Sequence, residues 1–268
     1  MTKLVSENNF SSVSRRDVLV VGGLGAVSLV LAGCASPGGA DRTGGDEDPI
    51  PGPWGARADR NARPAPTPPP ARAETPQPLP RAGGPIIVLP RTRWTRAGVA
   101  RPSEINPMRG VRRITIHHDG MDSFTTTDES ASRRRLEQIR RSHVEGRKWA
   151  DIGYHYIIDP AGRIWEGRGV QYQGAHVKDN NENNLGIMCM GNYDNQSPTN
   201  AMRSALDRFV ASQMRQYRVP MNEVRTHQER MATACPGRNL QAYIRASRSS
   251  GGGMTLALND EALSVQFV

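Results

Sequence analysis

Val111-Arg112-Arg113-Ile114-Thr115-Ile116-His117-His118 alternates apolar and polar residues and ends on paired histidines. Period-two patterning built on β-branched residues is that of a strand beside a core. Working outward, Tyr154 to Ile158, Asp159-Pro160-Ala161-Gly162 and Arg163 to Glu166 read as strand, turn and strand. Leu185 to Met190 is a further short apolar strand that Gly191 ends. Ser132 to Val144 puts Leu136, Ile139 and His143 on one helical face and arginines on the other. A second helix begins with Ser197 as N-cap and Pro198 in its first turn, and its apolar stripe is Leu206, Phe209, Val210, Met214 and Tyr217. Strands and helices intermingled in this way predict an α/β fold, a single domain with a central mixed β-sheet flanked by helices, over residues 86–246. Residues 247–268 open with Ser and Gly and carry no assignable pattern.

The first third of the chain has a different texture. Ser14-Arg15-Arg16-Asp17 precedes an apolar run reaching Leu31. At about 14 residues this run is shorter than the roughly 20 that a membrane-spanning helix needs, so residues 1–33 read as an export signal resembling the twin-arginine type. Leu31-Ala32-Gly33-Cys34 matches a lipobox, which makes Cys34 the expected lipidation site. Residues 34–85 are rich in Gly, Pro, Ala and Arg, with Pro68-Pro69-Pro70 near the centre. So little apolar surface cannot offset ordering entropy, and a tether is expected. The expected location is therefore a lipid anchor in the membrane, with the domain facing the periplasm or cell wall.

The 268 residues carry a formal net charge of +9. That sign suits a polyanionic partner. The arginines, however, are spread through the tether and along one helix rather than clustered and interleaved with aromatics, so no nucleic-acid partner is expected. Three cysteines are too few for a disulfide framework. Cys189, within a strand, reads as a small buried hydrophobe. His117 and His118 end one strand, His155 opens another, His176 follows Gly174-Ala175, and His227 precedes Cys235 across a polar loop. None of these spacings matches a zinc finger or a helical His-Glu-x-x-His pattern, so spacing alone is a weak metal signal.

Five segments taken together are more specific: Ile114 to His118, Trp149-Ala150-Asp151-Ile152-Gly153-Tyr154, Gly174-Ala175-His176, Leu185-Gly186-Ile187, and Thr226-His227-Gln228 through Ala234-Cys235-Pro236-Gly237. In this order and spacing the chain resembles the type 2 N-acetylmuramoyl-L-alanine amidases, the family that includes the peptidoglycan recognition proteins. The likeness covers about Arg91 to Ile244. It implies the amidase-like fold and zinc held by His117, His227 and Cys235, with a fourth position left open, the catalytic pattern. It also implies Tyr154 and Thr233 as catalytic hydrogen-bond donors, Thr233 standing where one relative has a lysine, and His176 and Asn184 as substrate-binding residues along a groove. Adjacent strand residues face opposite sides, so only one of His117 and His118 can point at the metal, and the family register favours His117. His143 is expected in the core, and His155 is expected to be structural and to point away from Tyr154.

The implied activity is zinc-dependent cleavage between N-acetylmuramic acid and L-alanine of peptidoglycan by a monomer. Two rivals remain: a muropeptide-binding module that does not cut, and an amidase for 1,6-anhydro-muropeptides. The chain departs from the family at Asp119-Gly120, where Thr or Ser and then Ala are usual, and at Asn183-Asn184-Leu185.

Overall fold

The computed structural model describes residues 84–268. The arginine-pair segment, Cys34 and the proline-rich stretch to residue 83 lie outside them. Seven strands form one mixed sheet: β1 (Ile86–Leu89), β2 (Arg113–His118), β3 (Tyr156–Ile158), β4 (Ile164–Glu166), β5 (Asn184–Cys189), β6 (Val224–Thr226) and β7 (Val265–Phe267), in the order β6-β2-β5-β3-β4-β1-β7. Only β3 and β4 pair antiparallel. Asp159 closes their hairpin. Its Oδ1 accepts from the amides of Ala161 and Arg163, and its Oδ2 from Arg163 Nε and Trp165 Nε1.

Both faces of the sheet are covered. Helices α2 (Asn200–Tyr217), α3 (Arg238–Arg248) and α4 (Gly253–Leu258) bury Leu206, Phe209, Val210, Leu240, Ile244 and Met254 against Ile114, Ile116, Leu185 and Ile187. On the other face α1 (Glu129–Arg141) packs Leu136 and Ile139 with Ile157, Trp165 and Met188. The strand containing His117 is therefore interior, and from Ile114 onward all its residues are buried. Thr115, the polar member of the alternation, is buried as well because it spends its hydroxyl inside the sheet, donating to Asn184 Oδ1 at 2.8 Å.

Several boundaries differ from the sequence reading, the first helix running Glu129–Arg141 rather than Ser132 to Val144. The N-cap of α2 is Thr199 rather than Ser197, because its hydroxyl both accepts from the Met202 amide and donates to the Pro160 carbonyl. Residues 247–268, unassigned from sequence, supply α4 and β7, and β7 pairs parallel with β1 at the sheet edge. Among the described residues, no helix is long and apolar enough to cross a membrane.

Asp207 ties α2 to α3, accepting from Tyr243 Oη at 2.6 Å and Ser247 Oγ at 2.5 Å. Burial pushes its carboxyl up from 3.8 to about 6. A raised folded pKa favours the protonated form, so this contribution is fully present below about pH 4 and is lost as pH rises through about 6. Unfolding free energy measured by urea titration between pH 3.5 and 7 should show this loss, up to about 3 kcal/mol, in the difference between the wild type and Asp207→Asn.

Candidate metal centre

His117 shares a sheet face with Met188, its neighbour on β5, and so with the cluster under α1. His118 takes the opposite face: its Nδ1 accepts from the Tyr193 amide at 3.3 Å and its ring lies along that of Tyr193. The strand pleat thus sends one histidine of the pair to each side.

The chain returns to His117 from β6. His227 opens a short 3-10 turn, His227–Glu229, anchored by Glu229. That carboxylate accepts from the Thr226 amide, from Gln241 Nε2 and from both terminal nitrogens of Arg248 on α3. The Gln228 amide donates to the Cys235 carbonyl at 2.8 Å, closing the loop between the two candidate ligands. Arg230, from the same loop, reaches back to β2 and donates to Thr115 Oγ1 and the Ile114 carbonyl. The result is that one ligand atom from each of His117, His227 and Cys235 lies within 4.8 Å of the others. His117 Nδ1 stands 3.7 Å from Cys235 Sγ, which also accepts from the His118 amide at 3.4 Å. His227 Nε2 is buried with no hydrogen-bond partner.

The electrostatics favour neutral donors. Burial, then the neighbouring His176 and His227, hold His117 well below the ordinary imidazole range, and burial takes His227 down to about 4. Burial also pushes the Cys235 thiol up to about 12, partly opposed by the His118 amide. Two neutral imidazoles and a thiol that needs a nearby positive charge to ionise are a donor set for a soft or borderline divalent cation, zinc above all.

Tyr154 packs over this cluster, its ring centroid 5.2 Å from that of His117 and 5.7 Å from that of His143. Burial holds its phenol above the ordinary range, so at neutral pH it is a hydrogen-bond donor. His143 supports it from inside the fold: its Nδ1 accepts from the Gly153 amide and its ring packs on Trp149. Thr233 is exposed, and its Oγ1 accepts from the Cys235 amide at 3.3 Å, leaving the hydroxyl hydrogen free.

The two residues expected to bind substrate are both buried. His176 is buried, with Nδ1 3.0 Å from His117 Nε2 and Nε2 3.0 Å from the Asn184 carbonyl, so neither nitrogen is free for a ligand. Asn184 is fully buried on β5, its side chain accepting from Thr115 Oγ1 and donating to the Asn180 carbonyl. His155 is fully buried, lies beside His176 with ring centroids 5.7 Å apart, and joins the Gly186 amide to the Tyr172 carbonyl.

A family model described as N-acetylmuramoyl-L-alanine amidase matches residues 107–238. A peptidoglycan-recognition protein of Drosophila simulans is 33% identical over 158 residues, covering 57% of this chain and 82% of its relative. The chain belongs to the N-acetylmuramoyl-L-alanine amidase family. The pig N-acetylmuramoyl-L-alanine amidase is 29% identical over 161 residues, 59% of this chain, but the match spans only 27% of that longer protein. Among solved structures, Drosophila peptidoglycan recognition protein SD superposes with a TM-score of 0.54 at 25% identity, over 59% of this chain and 92% of the other.

Within this amidase family fold the departure at Asp119 has a structural reason that the sequence did not reveal. Asp119 Oδ1 and Oδ2 accept from Arg135 Nη2 and Nε of α1, and further from the amides of Met121 and Gly191. The carboxylate thereby fastens the loop after β2 to α1 and to the end of β5. An acid at 119 with an arginine one helix later was the available signal, but no spacing rule connects them.

The family motifs around Gly174 and Gly186 are equally physical. A Cβ at Gly174 would come within 2.4 Å of His176 Cδ2, and one at Gly186 within 2.6 Å. Gly186→Ala should therefore cost about 1–3 kcal/mol in urea unfolding as the ring is forced out. Gly98→Ala, where an added Cβ meets nothing within 4 Å, serves as the matched control and should leave stability nearly unchanged.

Proposed function

We propose that this domain is a zinc-dependent N-acetylmuramoyl-L-alanine amidase, hydrolysing the amide bond between N-acetylmuramic acid and the L-alanine of the peptidoglycan stem peptide. The observation that carries the reading is the convergence of His117, His227 and Cys235 beneath Tyr154. The donor set fits zinc, one ligand atom from each of the three side chains lying within 4.8 Å of the others. Held by these three side chains, zinc supplies a Lewis acid for the scissile carbonyl and acidity to water.

The chain's own groups supply the rest. Tyr154, protonated at neutral pH, donates to the carbonyl oxygen as charge develops on it. Thr233 fixes the Cys235 amide and offers a neutral donor, without the positive charge a lysine would bring. The buried surround of His117 and His227 keeps both imidazoles unprotonated, so they remain electron-pair donors at neutral pH. The rival reading, a module that binds muropeptides without cutting them, leaves the convergence of two imidazoles and a thiol without a purpose. The reading also includes export by the twin-arginine route and a lipid anchor on Cys34, with the domain working as a monomer on wall close to the membrane.

Two measurements test this. Purified sacculi incubated with the protein should release stem peptides with a free N-terminal alanine. A chelator should abolish the release, zinc should restore it, and Cys235→Ser should lack it. Tyr154→Phe should retain zinc and lose roughly a hundredfold in kcat, the scale of removing one oxyanion donor. Binding to sacculi with no such product at any zinc level would select the recognition module instead. For the anchor, labelling with a fatty-acid analogue in the producing cell should mark the wild type and leave Cys34→Ala unmarked.

A further inference from the structure

We infer that His176 is a positioning residue for the metal centre, holding His117 in the tautomer whose Nδ1 lone pair faces Cys235. The inference rests on the zinc reading above and extends it to a residue that touches neither the ion nor the substrate.

The protons follow from the partners. The Asn184 carbonyl can only accept, so the His176 nitrogen 3.0 Å from it, Nε2, carries a hydrogen. A neutral imidazole has one N–H, which leaves His176 Nδ1 as an acceptor. The atom 3.0 Å from that acceptor is His117 Nε2, which must therefore donate. His117 then has its hydrogen on Nε2, and its bare nitrogen is Nδ1, the atom facing Cys235 Sγ at 3.7 Å. In the other tautomer two lone pairs would confront each other at 3.0 Å inside the protein, and an N–H would point where a cation must sit. The relay of carbonyl, His176 and His117 is the arrangement by which a partner of the non-coordinating ring nitrogen sets a ligand's orientation and basicity.

The surroundings are built to keep His176 in that place. Gly174 and Gly186 leave no Cβ where its ring lies. The Asn181 side chain accepts from the backbone amides of both His176 and Val177, at 2.8 and 2.9 Å. His155 stands edge-on against the ring and is itself tied to the Gly186 amide on β5. Thus the segments Gly174-Ala175-His176 and Leu185-Gly186-Ile187 act together to seat one imidazole behind another.

The test uses the full chain and reads metal rather than turnover. Zinc affinity, measured by competition with a chromophoric chelator, should weaken about 10- to 100-fold in His176→Ala. In His176→Gln, whose amide can accept from His117 and donate to Asn184, most of the affinity should return. Unfolding of the metal-free variants reports whether the fold survives. Independently, nitrogen NMR of the metal-free wild type should show His117 protonated at Nε2 and bare at Nδ1. A His117 protonated at Nδ1 would overturn the inference. So would a folded His176→Ala that keeps wild-type zinc affinity but binds muramyl peptide more weakly. If the wild type takes up no zinc, the amidase reading fails on its own, and the His117 tautomer still decides the inference. If neither variant folds, that same spectrum decides it.

Discussion

The parallel pairing of β2 with β5 is the constraint on which the rest depends. Its register sets Thr115 beside Gly186 and His117 beside Met188. The glycine therefore falls beside Thr115, on the face that also carries His117, and the space above it is the space the His176 ring fills. A slip of one residue would send His117 to the face packed by α2 and α3 and expose Ile114 and Ile116 to the wrong side. Apolar burial on both faces forbids that slip, so the hydrophobic core fixes the geometry of the polar centre.

How far this was legible in the sequence depends on the residue. The strands around Ile114, Ile157 and Ile187 and the long helix carrying Phe209 announce themselves by periodicity, which burial enforces directly. The convergence of His117, His227 and Cys235 was not deducible from spacing, since their approach is made by tertiary bonds such as Gln228 to Cys235 and Arg230 to Thr115. Only the likeness to a family pointed to it. His176 and Asn184 were placed along a substrate groove because the family likeness implied it, and nothing in their own sequence surroundings signalled burial. What seats His176 in the interior is the absence of two side chains, at Gly174 and Gly186, and an absence leaves little trace in a pattern of apolar residues. The last strand was missed for a simpler reason: three residues are too few to show a period.

The centre is assembled from neutral groups in a chain of high positive charge, and the nearest ionised groups are committed elsewhere. Asp119 is satisfied by Arg135 and two amides, and Glu229 by Arg248 and its neighbours. Breaking the Asp119–Arg135 pair would leave a buried charge unpaired, which is far more costly than the pair is stabilising. These ion pairs act as fasteners for the loops that carry His118 and His227. The net charge of +9 is accordingly carried by groups other than the candidate ligands.

The pairing of β1 with β7 joins the two ends of the described chain. During synthesis β1 emerges early, and its sequence Ile86-Ile87-Val88-Leu89 is the kind that pairs readily with other chains when its edge is open. Its β4 side can be covered once residue 166 is out, but the other side waits for residues 265–267. A chain stalled or clipped before that point would keep a native-looking centre while displaying a bare apolar edge, so the last few residues act as a cap against aggregation more than as part of the chemistry.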